Sequence, residues 1–148
     1  MASIEGTYIP SAQDWVRDQV ETYERSGGAE ARTFRDSGLP IIVLTMRGAK
    51  TGHVRKTALM RTEHEGSYAL VAGAGGAPKN PDWYYNIIAN PSEILIQDGP
   101  TPFHVIVREV TGDERALWWE RAIAAFPGYI ERQAKTSRVF PVLVASPQ

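Results

Sequence analysis

Apolar residues follow two kinds of pattern along this chain, and the switches between them mark the elements. From Ser11 to about Arg25 they recur at helical spacing: Val16, Val20 and Tyr23 share a face with Ala12 and Trp15 nearby, while Arg17, Asp18, Glu21 and Glu24 lie elsewhere. Ser11 is placed to cap this helix, Asp14 to reach back as a capping-box carboxylate, and Gly27-Gly28 to end it. Ile41-Ile42-Val43-Leu44-Thr45 is a continuous apolar run, the pattern of a buried strand. Val54 to Thr62 alternates instead, with Lys56, Ala58 and Met60 on one face and Arg55, Thr57, Leu59 and Arg61 on the other. Glu65-Gly66-Ser67 turns into a further strand, Tyr68 to Ala72. Pro81 to Ala89 reads as a short helix stopped by Asn90-Pro91, and Ile94 to Gln97 pairs with Phe103 to Arg108 about a turn at Asp98-Gly99-Pro100. Thr111 and Glu114 form a capping-box pattern opening a helix to about Phe126, which Pro127-Gly128 breaks. Tyr129 to Lys135 reads as one more helical segment, and Val139 to Val144 as a last strand whose Pro141 points to an edge or bulge position.

Consecutive strands with helices arriving late predict a mainly β, α+β chain: an antiparallel sheet or barrel with helices packed on it. Residues 1–30 are read as an N-terminal helix and lead-in and 31–148 as the barrel, in a single domain overall, with no repeat or linker to divide the chain. Its 148 residues are enough for a real core. The first helix either packs over the barrel or docks reversibly on a membrane; its polar face is mixed in charge rather than basic, which favours packing.

Charge and composition narrow the chemistry. Sixteen Lys and Arg nearly balance 17 Asp and Glu, so nothing drives the whole molecule toward nucleic acid or anionic lipid, and an anion site must come from local clustering. With no cysteine, thiol catalysis, disulfides and cysteine-ligated metals are excluded. The three histidines, His53, His64 and His104, have no metal-ligand spacing, so no metal is expected. No apolar run is long enough to span a bilayer and the N-terminus lacks signal-peptide character, which sets a cytoplasmic expectation.

Two segments supply local clustering. In Gly73-Ala74-Gly75-Gly76-Ala77-Pro78-Lys79-Asn80-Pro81-Asp82-Trp83 the glycines allow close backbone approach, Asn80 can cap the helix, and free N–H groups beside Lys79 suit a phosphate. Met46 to Thr57 is a second turn, dense in cations: Lys50, Arg55 and Lys56. Two such segments fit one extended anionic ligand better than either alone. Met60, Ala72, Gly73 and Ala74 are candidates to line a planar ring, and Trp83 and Asn86 lie one helical turn apart.

The order Leu44-Thr45-x-Arg47-Gly48-x-Lys50-Thr51-Gly52, then Arg55-Lys56-Thr57-x-Leu59-Met60, then Gly75-Gly76-Ala77-Pro78-Lys79-x-Pro81-x-Trp83-Tyr84-x-Asn86 resembles the deazaflavin-dependent nitroreductase family. Those proteins use the 8-hydroxy-5-deazaflavin coenzyme F420 of actinobacteria and methanogens. The likeness runs from about Ile41 to Val144. It implies the split β-barrel of flavin-binding, pyridoxamine-phosphate-oxidase-like proteins. It also carries cofactor-binding roles onto Lys50, Thr51, Arg55, Lys56, Thr57 and Lys79, completed by the backbone from Gly75 through Gly76 and Ala77 to Pro78, which itself has no N–H. Trp83, Phe126, Tyr129 and Arg132 fall where the acceptor would bind, with Tyr129 the candidate donor of a hydrogen bond or proton. Relatives have serine at about Gly73, and tyrosine can stand where this chain has Phe126 and Arg132. The implied activity is hydride transfer from the reduced deazaflavin to a quinone, an activated enone such as a coumarin-type lactone, or a nitro compound. The alternatives are a deazaflavin carrier or sensor without turnover, and an FMN- or heme-binding barrel. Relatives suggest a monomer, with a small-molecule acceptor and no nucleic acid as partner.

Overall fold

The computed structural model describes residues 2–148. In chain order the elements are α1 (Asp14–Arg25), β1 (Ile41–Arg47), β2 (Val54–Met60), β3 (Glu63–His64), β4 (Ser67–Val71), one 3-10 turn (Ala74–Gly76), α2 (Asp82–Ala89), β5 (Ile94–Gln97), β6 (Pro102–Glu109), α3 (Gly112–Ala125), α4 (Gly128–Ala134) and β7 (Val142–Pro147). The strands form one antiparallel sheet in the order β2-β1-β5-β6-β7-β4-β3. The alternation read in the sequence sets the register of β2 on β1, where Ala58 faces Val43 and Thr57 faces Leu44.

The two faces of the sheet carry two cores. Ile42 and Leu44 of β1, Ile94 and Ile96 of β5, Val105 and Val107 of β6, Leu143 of β7 and Leu70 of β4 meet in one cluster, plugged by Ile87 of α2. Side chains of strands so far apart in the sheet order can share a cluster only if the sheet curls around them, and this gives the half-barrel. The opposite face, with Val43, Ala69, Val71, Val142 and Val144, packs against α1, α3 and α4 through Val16, Val20, Tyr23, Trp118, Ala122 and Tyr129. The apolar face of α1 is thus buried on the sheet, Val20 and Tyr23 being 1% and 2% exposed, and offers no stripe for a membrane. Among the described residues no helix is long and apolar enough to cross one.

Four local expectations are corrected. β7 is an interior strand between β6 and β4, not an edge. It begins at Val142, so Pro141 stands just before the ladder, where its missing N–H costs nothing, and its carbonyl accepts from Ala72 N–H. Ser11 does not cap α1; its hydroxyl accepts from Gln13 N–H outside the helix. Thr111 and Asn80 make no side-chain cap either; Glu114, the other half of the capping box, pairs with Arg108, and the Asn80 amide oxygen is held by Arg138.

The curl is tied by one carboxylate. Asp98, just after β5, accepts from Arg61 Nε at 3.0 and 2.9 Å and from the Tyr68 hydroxyl at 2.7 Å. Arg61 follows β2, one end of the sheet order, and Tyr68 lies on β4, next to the other end, so Asp98 braces the two across the curl. Gly99 N–H donates to the Tyr23 hydroxyl of α1 at 2.8 Å, and Gly28 lies so close to Gly99 that a Cβ there would stand 2.9 Å from its Cα. Tyr68→Phe is expected to lose a hydrogen bond to a charged acceptor and about 1.5–3 kcal/mol of stability by urea unfolding. Burial first, then the bond to Asp98, raises the Tyr68 phenol above its ordinary value. Its stabilisation is therefore complete below about pH 10 and is lost as pH rises beyond that. In Tyr68→Phe the alkaline fall in stability should be shallower.

Candidate active site

A cleft of about 1050 Å³ runs along β2, room for a ligand longer than a single ring system. One end is the β1–β2 turn. Its backbone is closed by Gly48 N–H on His53 carbonyl (2.7 Å) and Gly52 N–H on Gly48 carbonyl (3.0 Å). Asn86 of α2 accepts from Ala49 N–H at 2.9 Å, so the helix after the glycine loop positions the cationic turn. Lys50 and Arg55 line the cleft here, and among the described residues neither has an ion-pair partner. Lys56 also lines it but is neutralised by Glu24 of α1, with its ammonium 5.0 Å from the Tyr8 ring centroid.

The floor is the glycine-rich loop. Arg138 holds it from behind, donating to the carbonyls of Ala72 (2.9 Å), Gly73 (2.9 Å) and Ala77 (3.0 and 3.1 Å) and to the Asn80 side chain. One planar guanidinium thus satisfies backbone that the loop's irregular path leaves unpaired. Ala74 and Gly75 both take positive φ, 46° and 66°, a conformation expensive for the alanine alone. Gly76 has no room for a side chain, since a Cβ would stand 2.7 Å from the Arg132 carbonyl of α4.

The other end is aromatic. Met60, at the far end of β2, shares a core cluster with Phe126 and Tyr129, and Phe34 packs against it. Phe126 and Tyr129 meet edge to face at 4.9 Å, and Phe34 meets Trp15 and Phe126 at 6.1 and 6.2 Å. Tyr129 is 7% exposed and lines the cleft. Burial pushes its phenol well above the ordinary value, against a smaller opposing effect of Arg132, so it stays protonated and keeps an O–H to donate. Cations outnumber acids around the cleft: Arg35, Lys50, Arg55, Lys56 and Arg132 against Asp82 alone.

The family model for F420H(2)-dependent quinone reductases matches residues 15–147. The chain belongs to this family. An F420H(2)-dependent quinone reductase of Mycobacterium tuberculosis is 36% identical over 108 residues, 71% of this chain and 72% of that protein. A solved F420-H2 dependent reductase, FDR-A, is 45% identical, covers 72% of this chain and 94% of its own, and superposes with a TM-score of 0.68. A structure described as a domain-swapped dimer is 42% identical, covers 92% of this chain and 100% of its own, and superposes with a TM-score of 0.70. The resemblance read in the motifs and the split-barrel fold are both borne out, and the family is one of oxidoreductases that take reduced coenzyme F420, F420H(2), as reductant.

Against this F420H(2)-dependent quinone reductase frame, the expected site residues divide. Lys50, Thr51, Arg55, Lys56, Thr57, Met60, Gly73, Ala74, Gly75, Trp83, Phe126, Tyr129 and Arg132 all line the one cleft. Ala72, Gly76, Ala77, Pro78 and Lys79 do not. Ala72 is fully buried, and its carbonyl, like that of Ala77, faces Arg138, while the exposed Lys79 is beyond the cleft lining. Gly73 is buried against Phe140, whose ring edge would lie 3.2 Å from an added Cβ. Sequence reasoning missed Arg138, Trp15, Phe34 and Arg35. Arg138 sits in an unpatterned Ser137-Arg138-Val139 stretch, and Phe34-Arg35 in a loop without periodicity, so neither carried a signal.

Replacing Arg138 with methionine keeps the stem over Phe140 but removes every loop bond. It is expected to cost at least about 2 kcal/mol and to speed amide exchange across residues 72–80, read by hydrogen–deuterium exchange.

Proposed function

We propose that this chain reduces electron-poor acceptors, quinones first, with the cofactor stretched along β2. The reading extends to activated enones and nitro compounds as acceptor classes. The observation that carries it is the polarity of the cleft: unpaired Lys50 and Arg55 at one end of β2, and a buried, neutral Tyr129 at the other. From Arg55 to Met60 the strand rises roughly 17 Å, the span of an extended anionic cofactor rather than of a bare ring. The donor set fits: two free cations and a turn backbone for phosphate and carboxylates, then a slot floored by small residues, Gly73 and Ala74, for a planar ring.

When bound, reduced coenzyme F420 supplies a hydride to the acceptor. The chain's own residues do the rest. Lys50 and Arg55 hold the anionic tail, with Thr51 and Thr57 beside them. Met60, Gly73 and Ala74 set the ring plane. Trp83 and Phe126 bound the acceptor and exclude water, which keeps the two partners in near-attack geometry. Tyr129 donates its phenolic proton to the acceptor oxygen that gains negative charge, and is reprotonated from solvent.

We further read the protein as cytoplasmic, because α1 covers the sheet and leaves no membrane-facing stripe. A monomer is the simplest assembly, and sedimentation at micromolar concentration tests it against exchange of segments between two copies, the arrangement of its domain-swapped relative.

The deciding experiment is a fluorescence titration with oxidised coenzyme F420, with FMN in parallel. Saturable binding of the deazaflavin alone supports the reading; preference for FMN sinks it, and binding without oxidation of F420H2 by any quinone makes the protein a carrier. Lys50→Glu and Arg55→Glu should each weaken F420 binding by about tenfold to a hundredfold. Tyr129→Phe should lower kcat with quinones about a hundredfold while leaving the F420 dissociation constant in place.

A further inference from the structure

Two guanidiniums at the aromatic end of the cleft have no protein partner. Arg35 lies 4.1 Å from the centroid of Trp15 and 5.8 Å from that of Phe34. Arg132 lies 4.5 Å from the centroid of Phe126 and 5.9 Å from that of Phe34. The two cations therefore share the Phe34 ring. Both line the cleft, and among the described residues neither forms an ion pair with a carboxylate. Stacking on ring faces fixes the guanidinium planes and leaves their edge N–H groups, the forked donors that match a carboxylate, without protein acceptors.

The placement of Arg35 is built rather than incidental. Gln19 of α1 donates to the carbonyls of Ala31 (3.0 Å) and Thr33 (2.8 Å), and Phe34 N–H closes the loop on the Leu39 carbonyl at 2.8 Å. Within it Arg35 takes a φ of 43°, left-handed backbone that a non-glycine residue adopts at a cost. Two like charges held near one ring repel each other, and an anion between them removes that repulsion.

We propose that the acceptor end of this cleft recognises a planar acceptor bearing a carboxylate, which Arg35 and Arg132 clasp while its ring lies among Phe34, Phe126 and Tyr129. This rests on the reading of the cleft as a reductase site with the acceptor at the Met60 end. The cofactor's own anionic groups are served at the turn end by Lys50 and Arg55, the latter separated from Met60 by roughly 17 Å of strand at roughly 3.3 Å per residue. The clasp is a matter of binding; the electrons and hydride come from F420H2, and the proton from the tyrosine, as in the parent reaction.

The test uses a matched pair of acceptors, a 1,4-naphthoquinone carrying a propionate side chain and its methyl ester, which differ in charge but hardly in ring chemistry. The full-length protein should show a kcat/KM for the acid at least about tenfold above that for the ester, the worth of one charge-assisted pair. In Arg35→Met and in Arg132→Met, which keep an apolar stem on the rings, that ratio should fall toward one, and Arg132→Lys should restore part of it. The F420 dissociation constant, read by fluorescence, should not move in any of them. Calorimetric binding of the acid and the ester to cofactor-free protein separates this proposal from its parent: acid-selective binding lost in the arginine variants supports the clasp even if no turnover occurs. Equal handling of acid and ester by the unmodified protein overturns it. So does a weakening of F420 binding in the variants that matches the loss for the acid, which would place the cofactor's acidic tail between the two arginines.

Discussion

The Asp98 carboxylate ties β5, the end of β2 and β4 together at the corner where the chain passes from β2 into β3. β2 and β4 stand near opposite ends of the sheet order and share no backbone hydrogen bond, yet Arg61 beyond β2 and Tyr68 on β4 meet on this one side chain. The same corner takes in α1 through the Tyr23 hydroxyl and Gly99. A single carboxylate receiving a guanidinium and a phenol reinforces the seam of the half-barrel, beside the β3–β4 pairing and the bond from Ala69 N–H to the Thr62 carbonyl at 2.9 Å. The consequence reaches the site because β2 is both an edge of the sheet and the spine of the cleft. Its position relative to the glycine loop and to α4 depends on the curl being held.

Around that frame the chain treats its cations in two ways. Arg61, Arg108 and Lys56 are each matched with a carboxylate, and Arg138 with backbone carbonyls and an amide. Of the five cations in the cleft lining, four, Lys50, Arg55, Arg35 and Arg132, have no ion-pair partner among the described residues. Their mutual repulsion lowers stability, and folding alone gives no reason to concentrate them there. A bound polyanion would offset the repulsion at the turn end, so the clustering of cations around the cleft agrees with the proposed seat of ligand charge.

What could be read from the sequence depended on range. Short-range regularities carried through: the alternation of β2, the apolar run of β1, the helices at α1 and α3 and the cationic turn are set by neighbouring residues, and the long motif from Leu44 to Asn86 placed the family. Features decided by distant partners did not. Thr111 and Glu114 have capping-box spacing, but Arg108 claims the glutamate, so a sequence-local rule lost to a charge pair. Pro141 reads as an edge marker until the strand is seen to begin one residue later. Arg138 is the sharpest case: it organises the loop that the motif made conspicuous, from more than 50 residues away, and no spacing in the chain announces it.

Burial makes the two ends of the cleft chemically unlike. At the turn end the cations are half-buried or exposed, so charge there attracts ligand at modest desolvation cost. At the Met60 end, Tyr129 is enclosed by Phe126 and Trp119 and its ionised form is penalised. A phenol that cannot ionise at neutral pH cannot act as a base, but it delivers a hydrogen bond whose strength grows as the oxygen it faces becomes negative. That is the demand of carbonyl reduction, where charge appears on the acceptor only as the hydride arrives. Arg132, on the same helix, adds a fixed positive charge beside the phenol and partly offsets its raised pKa. In the proposed reaction such a phenol would hold its proton until charge develops on the acceptor, coupling protonation to hydride transfer without a free base in the site.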